Sequence, residues 1–329
     1  MNQRDDTRKI SGWLRMITYL LRHRAIGLFL FIGLLTTVVS SINPAFLSAQ
    51  NLRDIAVQAA PVCIISCGVM LVLVAGEIDI SVGSMMGVLA ASMGIMVSAS
   101  RAQLPPHVAI ALTLLIGIGM GLFNGLLVAY VGVPSIIVTL GMLTTLRGLT
   151  EIIMNGAWIT DLPEEIRFLG TGTILSIPLS LWTTACVLAV TMWLIHRTPI
   201  GRRIYATGSN PQAAQLAGLS IKSIKLFVFA WTGLLTAVAT LVSVPQLSVV
   251  DSGIGVGTEL LVVTCVVVGG VSVNGGVGTL SGVLCGVALM TMISTVLIFL
   301  KLGAHATYWS RAIQGLVILG AILADNLIA

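Results

Sequence analysis

Between Ala75 and Ser84 the chain reads Ala-Gly-Glu-Ile-Asp-Ile-Ser-Val-Gly-Ser, so that Glu77, Asp79 and Ser81 alternate with Ile78, Ile80 and Val82. A period of two between glycines is not helical patterning. Two carboxylates and a hydroxyl so placed have two uses in apolar surroundings. They can organise a polar path or a gate, or they can accept local backbone N–H groups and cap the next helix, a task open also to Ser84. A metal site needs more ligands than this pair provides. The four histidines are isolated, which argues against a proton relay. Gly201–Ser209 is flanked by glycine but lacks the lysine of a phosphate-binding loop, so the chain binds no ATP by that route. No catalytic residue and no cofactor are expected, and any ATP must be bound by a partner subunit.

Other polar residues sit inside apolar runs. Arg147 and Glu151 are four apart on one helix face, and each would cost roughly 2.5–3.5 kcal/mol at the centre of a bilayer unless paired or drawn to an interface. Asn124 is placed to bond a neighbouring helix or to line a path. Phe123, Phe227 and Trp231 offer faces for a sugar ring or, more simply, for lipid and core. A second glycine-rich stretch, Gly269–Thr279, contains Gly269, Gly270, Ser272 and Asn274 and cannot remain helical throughout. Irregular backbone at membrane depth survives only in protein or along a wet cavity, so Glu77, Asp79, Ser81, Asn124, Gly269, Gly270 and Asn274 are the candidates for a translocation path or gate.

The elements that must position these residues are dictated by composition. Of 329 residues, 57% are apolar and 9% charged, with a mean hydropathy of +1.04; that is too little polar material for a water-facing surface. The chain is a multi-pass, all-α membrane protein. Apolar runs near 25–42, 55–75, 83–99, 108–131, 134–154, 177–195, 226–245, 258–270, 279–300 and 307–327 give ten spans, two of them short. The basic N-terminus superficially suits a secretory signal, but the run Ala25–Ile42 is too long for one and is read as a retained first span. Of the 17 basic residues, eleven fall in 1–24 and 197–225. This bias places both stretches in the cytoplasm and reads as topology rather than nucleic-acid binding. Six intervening spans agree with that, and the acid-bearing loop 155–176 falls outside. Cys63, Cys67, Cys186, Cys265 and Cys285 all lie in apolar runs and are expected to be buried, reduced thiols.

The chain forms one transmembrane domain, 1–329, and resembles itself at an offset of about 195–200 residues. Leu28–Val38 matches Leu226–Val238, Gly83–Leu89 matches Gly278–Leu284, and Arg147-Gly-Leu is echoed by Arg311 and Gly315-Leu316. Pseudo-repeats of five helices, about 25–154 and 226–327, are expected, inverted relative to each other, with broken helices at 76–84 and 269–279. Between the halves, in the loop 196–225, Asn210 suits an N-cap, Pro211 the first helical position and Gly218 the residue past the end. A helix of about two turns carrying Ala213, Ala214 and Leu216 is marginal alone and is expected to dock on another protein.

Taken together, Gly76–Gly83, Asn124–Tyr130, Pro134–Gly141, Arg147–Leu149, Gly201–Gly218 and Gly269–Thr279 resemble the permease subunits of bacterial ABC importers for monosaccharides, the branch with the ribose, xylose, arabinose and autoinducer-2 systems. The resemblance implies about ten helices in the inner membrane with both termini cytoplasmic and a dimer with a second permease subunit, identical or similar. It also implies a cytoplasmic ATP-binding subunit and a periplasmic sugar-binding protein. In that scheme Asn210, Pro211, Ala213, Ala214, Leu216 and Gly218 form the coupling helix. The alternatives are a branched-chain amino acid permease, whose first broken segment lacks the paired acids, an ion-coupled transporter, and a membrane scaffold.

Overall fold

A computed structural model describes residues 24–300 and 306–328; Arg4, Arg8, Lys9, Arg15 and Arg22, which support the orientation, lie outside them. The described residues form thirteen α-helices: α1 Arg24–Ile42, α2 Ala49–Val74, α3 Val82–Val97, α4 Pro106–Leu126, α5 Ser135–Met154, α6 Glu164–Thr171, α7 Leu179–Arg197, α8 Pro199–Ser209, α9 Pro211–Leu216, α10 Ile221–Ser243, α11 Thr258–Val268, α12 Leu280–Phe299 and α13 Ala306–Ile328. A short hairpin, Thr173–Ile174 with Ile177–Pro178, and an isolated bridge between Ile159 and Val250 are the departures from all-α structure among them. Each apolar run of the sequence holds a helix. Among the described residues seven helices are long and apolar enough to cross a bilayer, and α4 continues through a π-turn to Val131. The break between α2 and α3 runs from 75 to 81 rather than 76 to 84, because α3 is helical from Val82.

Burial sorts these helices. The most apolar stretch of α2 is 78% buried and that of α10 is 67%, against 6% for α1. α2 and α10 are therefore the central pair, and α1 lies outermost, resting on α12. On α10, Thr232, Thr236 and Thr240, all fully buried, donate to the carbonyls of Val228, Thr232 and Thr236 at 2.8 Å, whereas Ser66 Oγ on α2 and Ser243 Oγ at the end of α10 have no partner among the described residues. The matched segments Leu28–Val38 and Leu226–Val238 thus sit in unlike places, one peripheral and one central.

Packing of α4 on α10 has a glycine signature that the motif reading missed. Gly117, Gly121 and Gly125 recur every four residues, lie on one face and let the backbones meet, as small residues do in membrane helix pairs. A Cβ on Gly117 would stand 2.6 Å from Gly233 O, and one on Gly121 would collide with Phe229 O. Gly119, on the opposite face, has nothing within 4 Å.

That asymmetry is testable. Gly121→Leu is expected to prevent the α4–α10 crossing, at a loss of at least the ~1–3 kcal/mol typical of overpacking, while Gly119→Leu leaves the fold intact. Fluorescence-detected size exclusion of detergent-extracted protein checks both; a monodisperse Gly121→Leu would sink the packing account.

Candidate functional site

The first broken segment is held by groups from α2, α4 and α5. Glu77 N–H donates to Val72 O at 3.0 Å, Ile78 N–H to Ser135 Oγ at 3.1 Å, and Thr139 Oγ1 lies 3.4 Å from Ile78 O. Asp79 Oδ1 accepts from Ser81 N–H at 2.9 Å and from Ser81 Oγ at 2.6 Å, and Asn124 Nδ2 donates to that same Oγ at 3.0 Å. Asp79, Ser81 and Asn124 are completely buried. The structure therefore joins three residues that the sequence presented separately. Asp79 Oδ2 and Asn124 Oδ1 have no partner among the described residues. Ser81 does not cap α3 by its side chain, and Ser84 Oγ donates backwards to Ser81 O at 2.8 Å. The local amide-accepting role expected of the acids thus falls to Asp79.

Glu77 does something else: it forms an ion pair with Lys225 near the start of α10. The pair borders an open cavity of about 550 Å³ that also takes in Lys222, Gln215 and the α4–α5 connection at Gly132, Val133 and Pro134. Lys222 lies over the Tyr130 ring, 5.5 Å from its centroid. Both rims of this cavity, α10 and the break, are thereby tied to one another.

The loop after α7 is more ordered than its sequence promised. Thr198 caps α8 by accepting from Gly201 N–H at 3.3 Å, with Pro199 at the first position. These are the start signals applied to Asn210 and Pro211, and applying them here would have found α8. Asn210 ends α8 and caps α9, its Oδ1 accepting from Ala213 N–H at 2.9 Å, and Gly218 has the positive φ of a helix terminator, 79°. One expectation needs correcting: Ala214 is buried against the chain's own bundle, while Ala213 is exposed and Leu216 is 90% exposed.

The second broken segment lies beside the first. Gly276 N–H donates to Val74 O at 2.9 Å, and Gly275 and Gly276 take positive φ. Gly269 and Gly270 form the turn after α11, where a Cβ on Gly269 would stand 2.6 Å from Gly282 O. Asn274 is exposed at the end of the bundle, its N–H on Ser272 Oγ at 3.2 Å. No hydrogen bond among the described residues joins Gly269, Gly270 or Asn274 to the Asp79–Ser81–Asn124 cluster.

At the opposite end a third irregular stretch, 244–257, connects α10 to α11. It pairs with the loop after α5 through Ile159 and Val250. Arg147 Nη1 donates to Ile254 O at 3.0 Å, while Glu151 is exposed; Arg147 is satisfied by this turn rather than by the expected partner four residues on. The stretch also touches α3: a Cβ on Gly83 would meet Gly255 O at 2.5 Å and run into the Glu259 carboxylate. Its closing sequence, Ile254-Gly-Val-Gly-Thr258, parallels Ile80-Ser-Val-Gly-Ser84 at the close of the first break. Asp161 Oδ2 accepts from Ser98 Oγ at 2.9 Å and Ser100 N–H at 3.0 Å. These bonds, that from Ser98 foremost, hold its carboxyl below the ordinary value.

The remaining candidates are structural. Phe227 and Trp231 stack on each other, centroids 6.0 Å apart. No cysteine is in a disulfide among the described residues; Cys63, Cys67 and Cys265 are buried as expected, Cys285 is half-buried, and Cys186 is exposed, since its helix α7 turns much of its surface outward.

Comparison with known proteins gives a consistent result. Residues 51–322 match the model of a family described as branched-chain amino acid transport system / permease component. The chain is 38% identical to the ribose import permease protein of Haemophilus influenzae over 302 residues, covering 91% of this chain and 92% of that one. It is 33% identical over 311 residues to the autoinducer 2 import system permease protein of Escherichia coli, covering 94% and 89%, and to that of Yersinia pestis, covering 94% and 87%.

Two outcomes follow from the geometry. Ser81→Ala strands Asn124 Nδ2 and removes one of two donors to Asp79, so stability is expected to fall by about 1–3 kcal/mol, read as a lower melting temperature in detergent; an unchanged value would deny the cluster a structural role. Asp161, with its pKa lowered on folding, stabilises the 98–100 turn above the usual carboxylate range and loses that contribution only as pH falls through the depressed value. Asp161→Asn should abolish that part of the acid-side decline, measured as melting temperature against pH.

Proposed function

The chain belongs to the family of branched-chain amino acid transport system permease components, and on that premise we propose that this member passes a monosaccharide or a similar small polyhydroxylated solute. It is a transport component of an ABC importer and not an enzyme: ATP is bound and hydrolysed by a partner ATPase, and a separate binding protein delivers the substrate. The family description speaks of amino acids, whereas the relatives cited above are named for ribose and for autoinducer 2 and align over nearly their whole length. The paired acids Glu77 and Asp79 argue in the same direction.

The observation that carries the coupling role is α9. This helix of six residues is capped by Asn210, anchored through buried Ala214 and terminated at Gly218, and it holds Leu216 out at 90% exposure. A large apolar side chain so presented fits a groove on the ATPase. Arg197, Arg202, Arg203, Lys222 and Lys225 flank it in the sequence, while Asp161, Glu164 and Glu165 fall in the loop after α5 and in α6, so the α9 end is cytoplasmic. In a bacterial inner membrane with ten crossing helices, both termini face the cytoplasm, and the far end receives the periplasmic binding protein.

Within the domain, α2, its break and the short α3 correspond to α10, its break and the short α11. α2 runs towards the cytoplasmic end and α10 away from it, which makes the two repeats inverted; five helices in the second then means α7 with α10–α13, since 226–327 alone holds four. Two such subunits, identical or similar, enclose the path. The Glu77–Lys225 pair and the Asp79–Ser81–Asn124 cluster brace its inner gate.

Proteoliposomes containing the permease, its ATPase and the binding protein should accumulate the sugar only with ATP inside, and without an ion gradient. Leu216→Asp and Ala213→Arg are each expected to lower uptake at least tenfold, the scale of a central contact in an interface, with an unchanged melting temperature. Normal transport by both variants would refute docking through α9, and uptake driven by a proton or sodium gradient without ATP would refute the importer itself.

A further inference from the structure

We propose that α8, rather than α9 alone, is the element that moves the inner gate, with Gly208 and Tyr205 as positioning residues that lock it onto both broken segments. The inference rests on the reading of those segments as a gate.

α9 is anchored by buried Ala214 and leads through 217–220 to α10, but its most direct attachment is to α8. It is six residues long, and its N-cap, Asn210, is also the residue that ends α8. With no linker between them, a displacement of α9 is delivered directly to the last turn of α8. That turn is in backbone contact with two other parts of the chain. A Cβ on Gly208 would run into Val74 O, the carbonyl that ends α2, and would stand 2.6 Å from Gly276 N. The same Val74 carbonyl accepts the Gly276 N–H at 2.9 Å. A Cβ on Gly275 would meet Gly76 Cα at 2.9 Å and Gly208 O at 3.0 Å, and one on Gly276 would lie 2.7 Å from Ser209 Cα. The end of α8, the first break and the second break therefore converge on one point, main chain against main chain.

Tyr205, one turn earlier, makes the second attachment: its hydroxyl donates to Gly278 O at 2.7 Å. Ile204 beside it is fully buried. Side chains at an interface can change rotamer and let helices slide, but contacting backbones have no such slack, and close-packed interfaces transmit displacement. α8 must carry 75–76 and 275–278 with it. The first break leads within two residues to the Glu77–Lys225 pair and within four to the Asp79 cluster, and the second leads directly into α12. One helix thus drives both halves of the inner face together.

Gly208→Ala and Tyr205→Phe test this in the complete reconstituted complex, with uptake of radiolabelled D-ribose, ATP hydrolysis and melting temperature measured on each. The mild variant, Tyr205→Phe, removes one hydroxyl and adds no volume. Uptake per ATP hydrolysed should fall about threefold to tenfold in Tyr205→Phe, the scale of one lost hydrogen bond, and further in Gly208→Ala, with the ATPase still bound. A role confined to stability would lower the melting temperature and leave uptake per ATP unchanged; that result in Tyr205→Phe overturns the proposal, whether or not Gly208→Ala assembles. If the parent complex takes up D-ribose poorly, the coupling is read from the substrate-stimulated fraction of ATP hydrolysis with the loaded binding protein. Loss of that stimulation in both variants supports the proposal, and its retention rejects it. Failure of the importer reading is distinct: the parent itself would then show no ATP-dependent activity with the permease.

Discussion

A backbone that leaves the helix inside a bilayer must find every hydrogen-bond partner within the protein, because lipid supplies none. The arrangement of this permease follows from that constraint. The first break borrows a serine hydroxyl from α5 for Ile78 N–H, the second borrows the terminal carbonyl of α2 for Gly276 N–H, and the third, at the far end, gives its Ile254 carbonyl to Arg147 and its Val250 backbone to Ile159. Each irregular stretch is therefore bound to a neighbour distant in sequence. The interruptions that would weaken isolated helices become the points where the bundle is tied together.

The same constraint explains where the glycines concentrate. Backbone groups can act as mutual partners only if side chains do not keep them apart. Gly208, Gly275, Gly276 and Gly76 meet at the inner end, and Gly83 meets Gly255 nearer the centre. Positive φ at Gly76, Gly275 and Gly276 adds a second reason for the residue type, since an L side chain rarely adopts it. Along α4 the spacing Gly117, Gly121, Gly125 serves plain helix packing instead. Sequence alone does not separate these uses, as all appear as glycine in apolar surroundings.

What was legible in the sequence follows the same division. Apolar run length marked the helices, because the thickness of the hydrocarbon layer imposes it. Asn210, Pro211 and Gly218 marked α9, because caps are local chemistry. The period-two acids marked the first break. The contacts were not legible: nothing in the spacing of Asp79, Ser81 and Asn124 shows that Asn124, on α4, reaches Ser81, nor that Arg147 prefers a carbonyl at 254 to the carboxylate at 151. Those pairings depend on how α3, α4, α5 and the third break pack. α8 is a different case, since Thr198 and Pro199 announced it and the apparent polarity of Arg202 and Arg203 concealed it.

Self-resemblance in an apolar chain is the hardest signal to weigh. The match between Leu28–Val38 and Leu226–Val238 pairs an outer helix with a central one, whereas pairing α2 with α10 joins the two most buried of the seven long spans, each followed by a break and a shortened helix. The shorter match Ile80–Ser84 with Ile254–Thr258 carries more weight than the longer one because its residues are constrained by backbone geometry rather than by hydrophobicity, which any span satisfies. In that pairing the first break lies at the α9 end of the bundle and its counterpart at the opposite end. One sequence device then serves opposite ends of the bundle: one copy rests on α8, and the other rests on Arg147 and the loop after α5. A transporter that opens to each side in turn needs a yielding stretch at each end, and a repeated sequence device is the simplest way for one chain to encode both.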